Sequence, residues 1–210
     1  MAFALVFPGQ GSQSVGMMAA YGESAVIRDT FAEASEALGE DLWAMVCDGP
    51  AERLALTVNT QPLMLTAGVA AWRAWRAAGG PKPALVAGHS LGEYSALVAA
   101  GALAFKDAVP LVRFRAQAMQ EAVPAGEGAM AAVMGLEPDA VHAACAEAAQ
   151  GQVVEAANLN APGQIVIAGS AAAVARAGER AKALGMADTV ITGVHGLPPE
   201  DGKTFEGVIG

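Results

Sequence analysis

At 210 residues the chain holds enough material for one sizeable core and a small appended subdomain. Apolar residues make up 54% of it and charged residues only 16%, which excludes a disordered chain. The formal charge of -9 leaves no clustered Lys and Arg to neutralise phosphate, so no nucleic-acid or anionic-membrane surface is expected.

The first apolar run, residues 3–7, ends at Pro8-Gly9 and suits a buried strand that stops in a tight turn. It has no basic flank and reaches glycine too early for a signal peptide. The loop Gly9-Gln10-Gly11-Ser12-Gln13 follows. Helical patterns cover 22–37, 49–57 and 61–78, before the break Gly79-Gly80-Pro81. Residues 84–87 read as a second buried strand, leading directly into Gly88-His89-Ser90-Leu91-Gly92 and a helical stretch over 93–104. A further helix is predicted over 106–122, ending in a Gly-rich hinge at 124–128. Beyond the hinge the elements shorten: strand 129–134, helix 138–149, strands 153–157 and 164–168, helix 171–184 and strand 189–194. That order is β-α-β-β-α-β, a ferredoxin-like unit. Residues 196–210 are rich in Pro, Gly and charge and are expected to form an exposed tail. Every apolar run is interrupted well short of about 18 residues, so no transmembrane helix is expected and a cytoplasmic location follows. Cys47 and Cys145 lack metal-ligand spacing and read as free thiols in a reducing compartment; no metal site is implied.

The pentapeptide Gly88-His89-Ser90-Leu91-Gly92 is a G-x-S-x-G motif set between a strand and a helix. Such a turn projects the serine hydroxyl clear of the sheet and places it at a helix N-terminus, where backbone N–H groups can stabilise an oxyanion. A glycine-bounded structural turn is the alternative. The loop at 9–13 lacks the third glycine of a dinucleotide fingerprint and the Lys-Ser/Thr pair of a phosphate loop. Its use is either as a second backbone donor, with glycines flanking Gln10, or as a turn alone. In the helix over 106–122, Ala108, Val112, Arg115, Met119 and Ala122 share one face. Arg113 lies about 200° around from Arg115, so one arginine is expected in solvent and the other inward. An inward guanidinium needs a carboxylate, either from a protein Asp or Glu or from a substrate. Of the histidines, His89 would point away from Ser90 across the turn and His142 sits in the small subdomain. His195 is at the right end of the chain to fold back, though nothing around it fixes its position.

The set Phe7-Pro8-Gly9-Gln10-Gly11-Ser12-Gln13, Thr60-Gln61-Pro62, Gly88-His89-Ser90-Leu91-Gly92-Glu93-Tyr94-Ser95, Met119-Gln120-Glu121-Ala122-Val123-Pro124 and Asn158-Leu159-Asn160-Ala161-Pro162-Gly163-Gln164 resembles the malonyl-CoA:acyl carrier protein transacylase family. The resemblance implies an α/β fold: an α/β-hydrolase-like large subdomain with a parallel sheet over 1–127, a small ferredoxin-like subdomain over 128–195 and a tail over 196–210. It implies an acyltransferase of fatty acid biosynthesis that moves malonyl from malonyl-CoA to the phosphopantetheine thiol of acyl carrier protein. No cofactor or metal is needed, malonyl-CoA and the carrier protein are the partners, and a monomer is expected. By the same resemblance Ser90 is the nucleophile, Gln10 and Leu91 supply the oxyanion-hole N–H groups, Arg115 clamps the malonyl carboxylate and Gln61 lines the pocket. The family's base is a histidine in a motif ending Pro-x-His, which residues 186–196 do not reproduce, leaving His195 as the only candidate near that place. This departure after about residue 185, and the lack of further residues that the family carries, predict a frameshifted, truncated or recombined gene. An inactive relative and a serine esterase or thioesterase, which would share Ser90 but need no inward arginine, are the competing readings.

Overall fold

Strands β1 (Ala4–Phe7) and β2 (Leu85–Gly88) pair in parallel, Ala4 against Leu85 through Phe7 against Gly88, in a computed structural model that describes residues 2–124, 126–186 and 188–194. Contacts divide the chain into two units, Met1–Gln120 and Glu121–Gly210. The boundary falls in the last turn of the helix that ends at Glu121.

In the first unit the helices are α1 (Ala25–Leu38), α2 (Leu42–Asp48), α3 (Ala51–Ala55), α4 (Thr57–Ala77), α5 (Gly92–Ala100) and α6 (Phe105–Glu121). Helix α1 packs on α4, α4 on α5, and α5 on both strands. Side chains alternate across a strand. Phe7 is therefore buried on the helical side of the sheet, whereas Val6 (70% exposed) and Leu85 (71% exposed) lie bare on the other. The core between the helices is built from Phe31, Leu42, Met45, Leu63, Leu65, Val69, Val109 and Val112. Helix α2 was not expected from the sequence; Asp41 begins it by accepting a hydrogen bond from the Ala44 N–H at 2.9 Å. Helix α4 starts four residues earlier than expected and carries Pro62 inside it. Its first turns hold three buried polar residues, two of which secure the preceding helix. The Asn59 amide donates to the Arg53 carbonyl at 2.8 Å and the Thr60 hydroxyl to the Leu54 carbonyl at 2.6 Å.

The second unit runs β3 (Gly128–Met134), α7 (Pro138–Ala149), β4 (Val154–Ala161), β5 (Gln164–Ser170), α8 (Ala171–Ala183) and β6 (Asp188–Val194). The sheet order is β4-β5-β3-β6 with every pair antiparallel, which is the ferredoxin-like arrangement. Ala131, Val133, Ile165 and Ile167 of the sheet meet Val141, Cys145, Val174 and Ala177 of the two helices in a core of its own. The first unit has the parallel sheet of the α/β class, and the second has the ferredoxin-like sheet. Among the described residues, no helix is long and apolar enough to cross a membrane.

Candidate active site

Ser90 stands in the turn between β2 and α5 with φ at 52°, in the left-handed region that costs a non-glycine residue about 1–3 kcal/mol. What imposes this conformation is the closeness of the flanking glycines. A Cβ on Gly88 would lie 2.0 Å from the Gly92 carbonyl carbon, and one on Gly92 would lie 2.2 Å from the Phe7 carbonyl oxygen. The helix start is therefore pressed onto the end of β1, and the chain can turn between strand and helix only sharply. The Ser90 side chain is left exposed at the tip.

The loop after β1 meets this turn. A Cβ on Gly9 would approach the His89 carbonyl oxygen to 2.9 Å, and the His89 ring lies on the same side. His89 therefore faces the Gly9 loop. Gln10 follows, its side-chain amide donating to the Thr57 hydroxyl at 3.2 Å. Among the described residues, neither the Gln10 nor the Leu91 backbone N–H has an acceptor. Leu91 itself is buried, which anchors its peptide at the N-terminal end of α5.

Helix α6 brings Arg115 to the serine. Its Nη2 donates to Ser90 Oγ at 3.0 Å and its Nη1 to Gln61 Oε1 at 2.7 Å. Gln61, from α4, has no exposed surface, and its Nε2 donates to Met119 Sδ at 3.4 Å. The guanidinium carbon also lies 5.7 Å from the centre of the Tyr94 ring on α5. No Asp or Glu forms an ion pair with Arg115 among the described residues. The protein-carboxylate alternative raised by the sequence is thus not realised there.

Arg113, expected on the solvated side of α6, is instead partly buried and paired with Glu40 at 3.1 Å, with no partner for Nε among the described residues. The reason is that Glu40, in the loop between α1 and α2, reaches that side of the helix and supplies a carboxylate. His195 lies outside the described residues, as does the tail at 196–210. Tyr94 and Met119 were quoted in sequence motifs but given no role. Their signal was spacing: Met119 is one helical turn beyond Arg115, and Tyr94 four residues beyond Ser90.

Cys47 and Cys145 are free. Burial, with Asp48 beside the first and Glu155 near the second, pushes both thiols above their ordinary range, so neither has thiolate character. No group of His, Cys, Asp and Glu arranged to hold a metal occurs among the described residues.

Residues 4–195 match the family described as acyl transferase domain. The malonyl CoA-acyl carrier protein transacylase of Salmonella typhimurium is 59% identical over 184 residues, covering 87% of this chain and 60% of that protein. An acyl-carrier-protein S-malonyltransferase structure from Burkholderia pseudomallei superposes with a TM-score of 0.89 at 61% identity, over 92% of this chain and 63% of that one. A type II PKS acyl-carrier protein in complex with its malonyl-transacylase gives a TM-score of 0.89 at 53% identity, over 93% and 63%. The chain spans about 60% of the length of the curated relatives it matches. With the turn, the loop and this similarity together, the chain belongs to the acyl transferase domain family.

Proposed function

We propose that the site transfers a malonyl group from malonyl-CoA to the phosphopantetheine thiol of acyl carrier protein, through a malonyl ester on Ser90, in fatty acid biosynthesis. The observation that carries this reading is the Arg115 guanidinium within hydrogen-bond reach of the candidate nucleophile, held by uncharged partners. In a malonyl thioester, one methylene separates the attacked carbonyl from the free carboxylate. A cation beside Ser90 Oγ is where that carboxylate would lie when the carbonyl reaches the hydroxyl. Two parallel N–H···O bonds from an arginine would both neutralise and orient it.

In the first half-reaction the Ser90 Oγ–carbon bond forms and the carbon–sulfur bond breaks, so coenzyme A leaves as the thiol carrying the proton taken from Ser90. In the second, the pantetheine sulfur attacks the same carbon, the ester bond breaks and the proton returns to Ser90 Oγ. Charge developing on the carbonyl oxygen is met by the backbone N–H groups of Gln10 and Leu91. A base must take the serine proton, a contribution commonly worth about 100-fold to 10,000-fold. His195 is the candidate from sequence. The acyl carrier protein enters as partner because a similar solved structure is described as a malonyl-transacylase in complex with its carrier protein.

Intact-mass measurement after brief exposure to malonyl-CoA tests the reading. A malonyl adduct is expected on the wild-type chain, absent from Ser90→Ala and strongly reduced in Arg115→Ala. A folded wild-type protein that takes up acetyl from acetyl-CoA as readily as malonyl would defeat the assignment of Arg115, and one that takes up neither would defeat the proposal.

A further inference from the structure

Arginine is long and flexible, and a clamp that must meet a carboxylate beside the nucleophile has to be held before substrate arrives. Gln61 cannot itself reach substrate: it is fully buried, its carbonyl oxygen is used by Arg115 and its amide nitrogen by Met119. A glutamine amide could stand in that slot either way round. Turned over, its NH2 would face the guanidinium, donor against donor, and its oxygen would face the Met119 sulfur, acceptor against acceptor. The guanidinium and the sulfur thus favour the same orientation, oxygen toward Arg115, and the sulfur holds the other end of the amide. On the other side, the face of the Tyr94 ring offers the guanidinium a negative quadrupole without a charge.

Resting on the function proposed above, we infer that Tyr94 and Met119 are positioning residues for Arg115, Met119 acting through Gln61, and that together they set selectivity for a carboxylated acyl group. Among the described residues every support is neutral. The cation is thus held in place while its charge is left for the substrate, and a carboxylate at position 61 would cancel it.

The test compares wild type with Met119→Leu, which keeps the volume and removes the acceptor, Tyr94→Leu, which removes the ring, and Tyr94→Phe, which keeps the ring face. Dissociation constants for malonyl-CoA and acetyl-CoA are measured on each, with a thermal melt to confirm folding. Met119→Leu and Tyr94→Leu are expected to weaken malonyl-CoA binding by roughly 3-fold to 10-fold while leaving acetyl-CoA binding unchanged, and Tyr94→Phe to restore the wild-type ratio. Equal losses for both thioesters, or no change in the ratio, would overturn the inference while leaving the proposed function standing. A wild-type protein with no preference for malonyl-CoA would overturn both. An independent readout needs no substrate: the Arg115 Nη resonances should show slowed rotation in wild type and Tyr94→Phe and faster rotation in Met119→Leu. The same rotation rate in all of them would also sink the idea.

Discussion

Ser90 is held at φ 52° by its neighbours, so part of the folding free energy is stored at the candidate nucleophile. Replacing it separates the two roles. Ser90→Ala keeps the strain and removes the hydroxyl, whereas Ser90→Gly removes both. Glycine should be the more stable variant by about 1 kcal/mol in urea denaturation, even though glycine ordinarily costs more entropy to order. An alanine variant as stable as the glycine one would mean that the turn is not strained in solution. Ser90 and Arg115 were legible because a motif and a helical face each predict a direction for a side chain. The Arg113–Glu40 pair was not, because it depends on a loop 73 residues away packing over the helix.

Among the elements, α5 is pressed closely onto the end of β1. Gly92 lies so close to the Phe7 and Pro8 carbonyls that Gly92→Ala must separate helix from strand, at a cost of about 2–3 kcal/mol. Loss of the Ser90 adduct should accompany the loss of stability, since both loops of the site sit on that contact. A Gly92→Ala protein with unchanged stability would refute this account. Helix and strand placement was otherwise readable wherever periodicity was clean, as in α7, whose bounds were read from Pro138 to Ala149. It failed at identifiable points. Helix α2 is a single short apolar run begun by Asp41, too short for a period to show. For α4 the expected start was Gln61, next to Pro62, a residue that ordinarily stands in the first turn of a helix and not in its interior. The helix in fact starts at Thr57, its early polar residues being satisfied by carbonyls of α3. Strand β4 runs to Ala161, past the expected 157, through register irregularities that break the alternation a strand pattern relies on.

For the whole molecule, the bare face of the β1–β2 sheet is the feature that a parallel sheet normally covers. Val6 and Leu85 stand on it, and the curated relatives are longer than the matched region by about 40% of their own length. Val6→Thr and Leu85→Thr keep β-branched or strand-compatible side chains and lose little burial. Together they should lower dye binding and light scattering while changing stability by less than about 0.5 kcal/mol. A large destabilisation would show that these side chains are packed in solution. The ferredoxin-like unit, by contrast, has a core between its sheet and helices, and its order of elements was legible because each is short and most boundaries carry a glycine or proline.

The pairing of Ala4 with Leu85 has a consequence in time. β1 is made first, yet its only strand partner in the described sheet is made some 80 residues later, so the loop that must close is long and its closure entropy is paid before the sheet returns anything. The Gly9 loop and the Ser90 turn meet only when that closure is complete. The site therefore cannot assemble until the chain past Ser90, and Arg115 on α6, has been made. A nascent chain halted before Leu85 carries β1 as an unpaired strand.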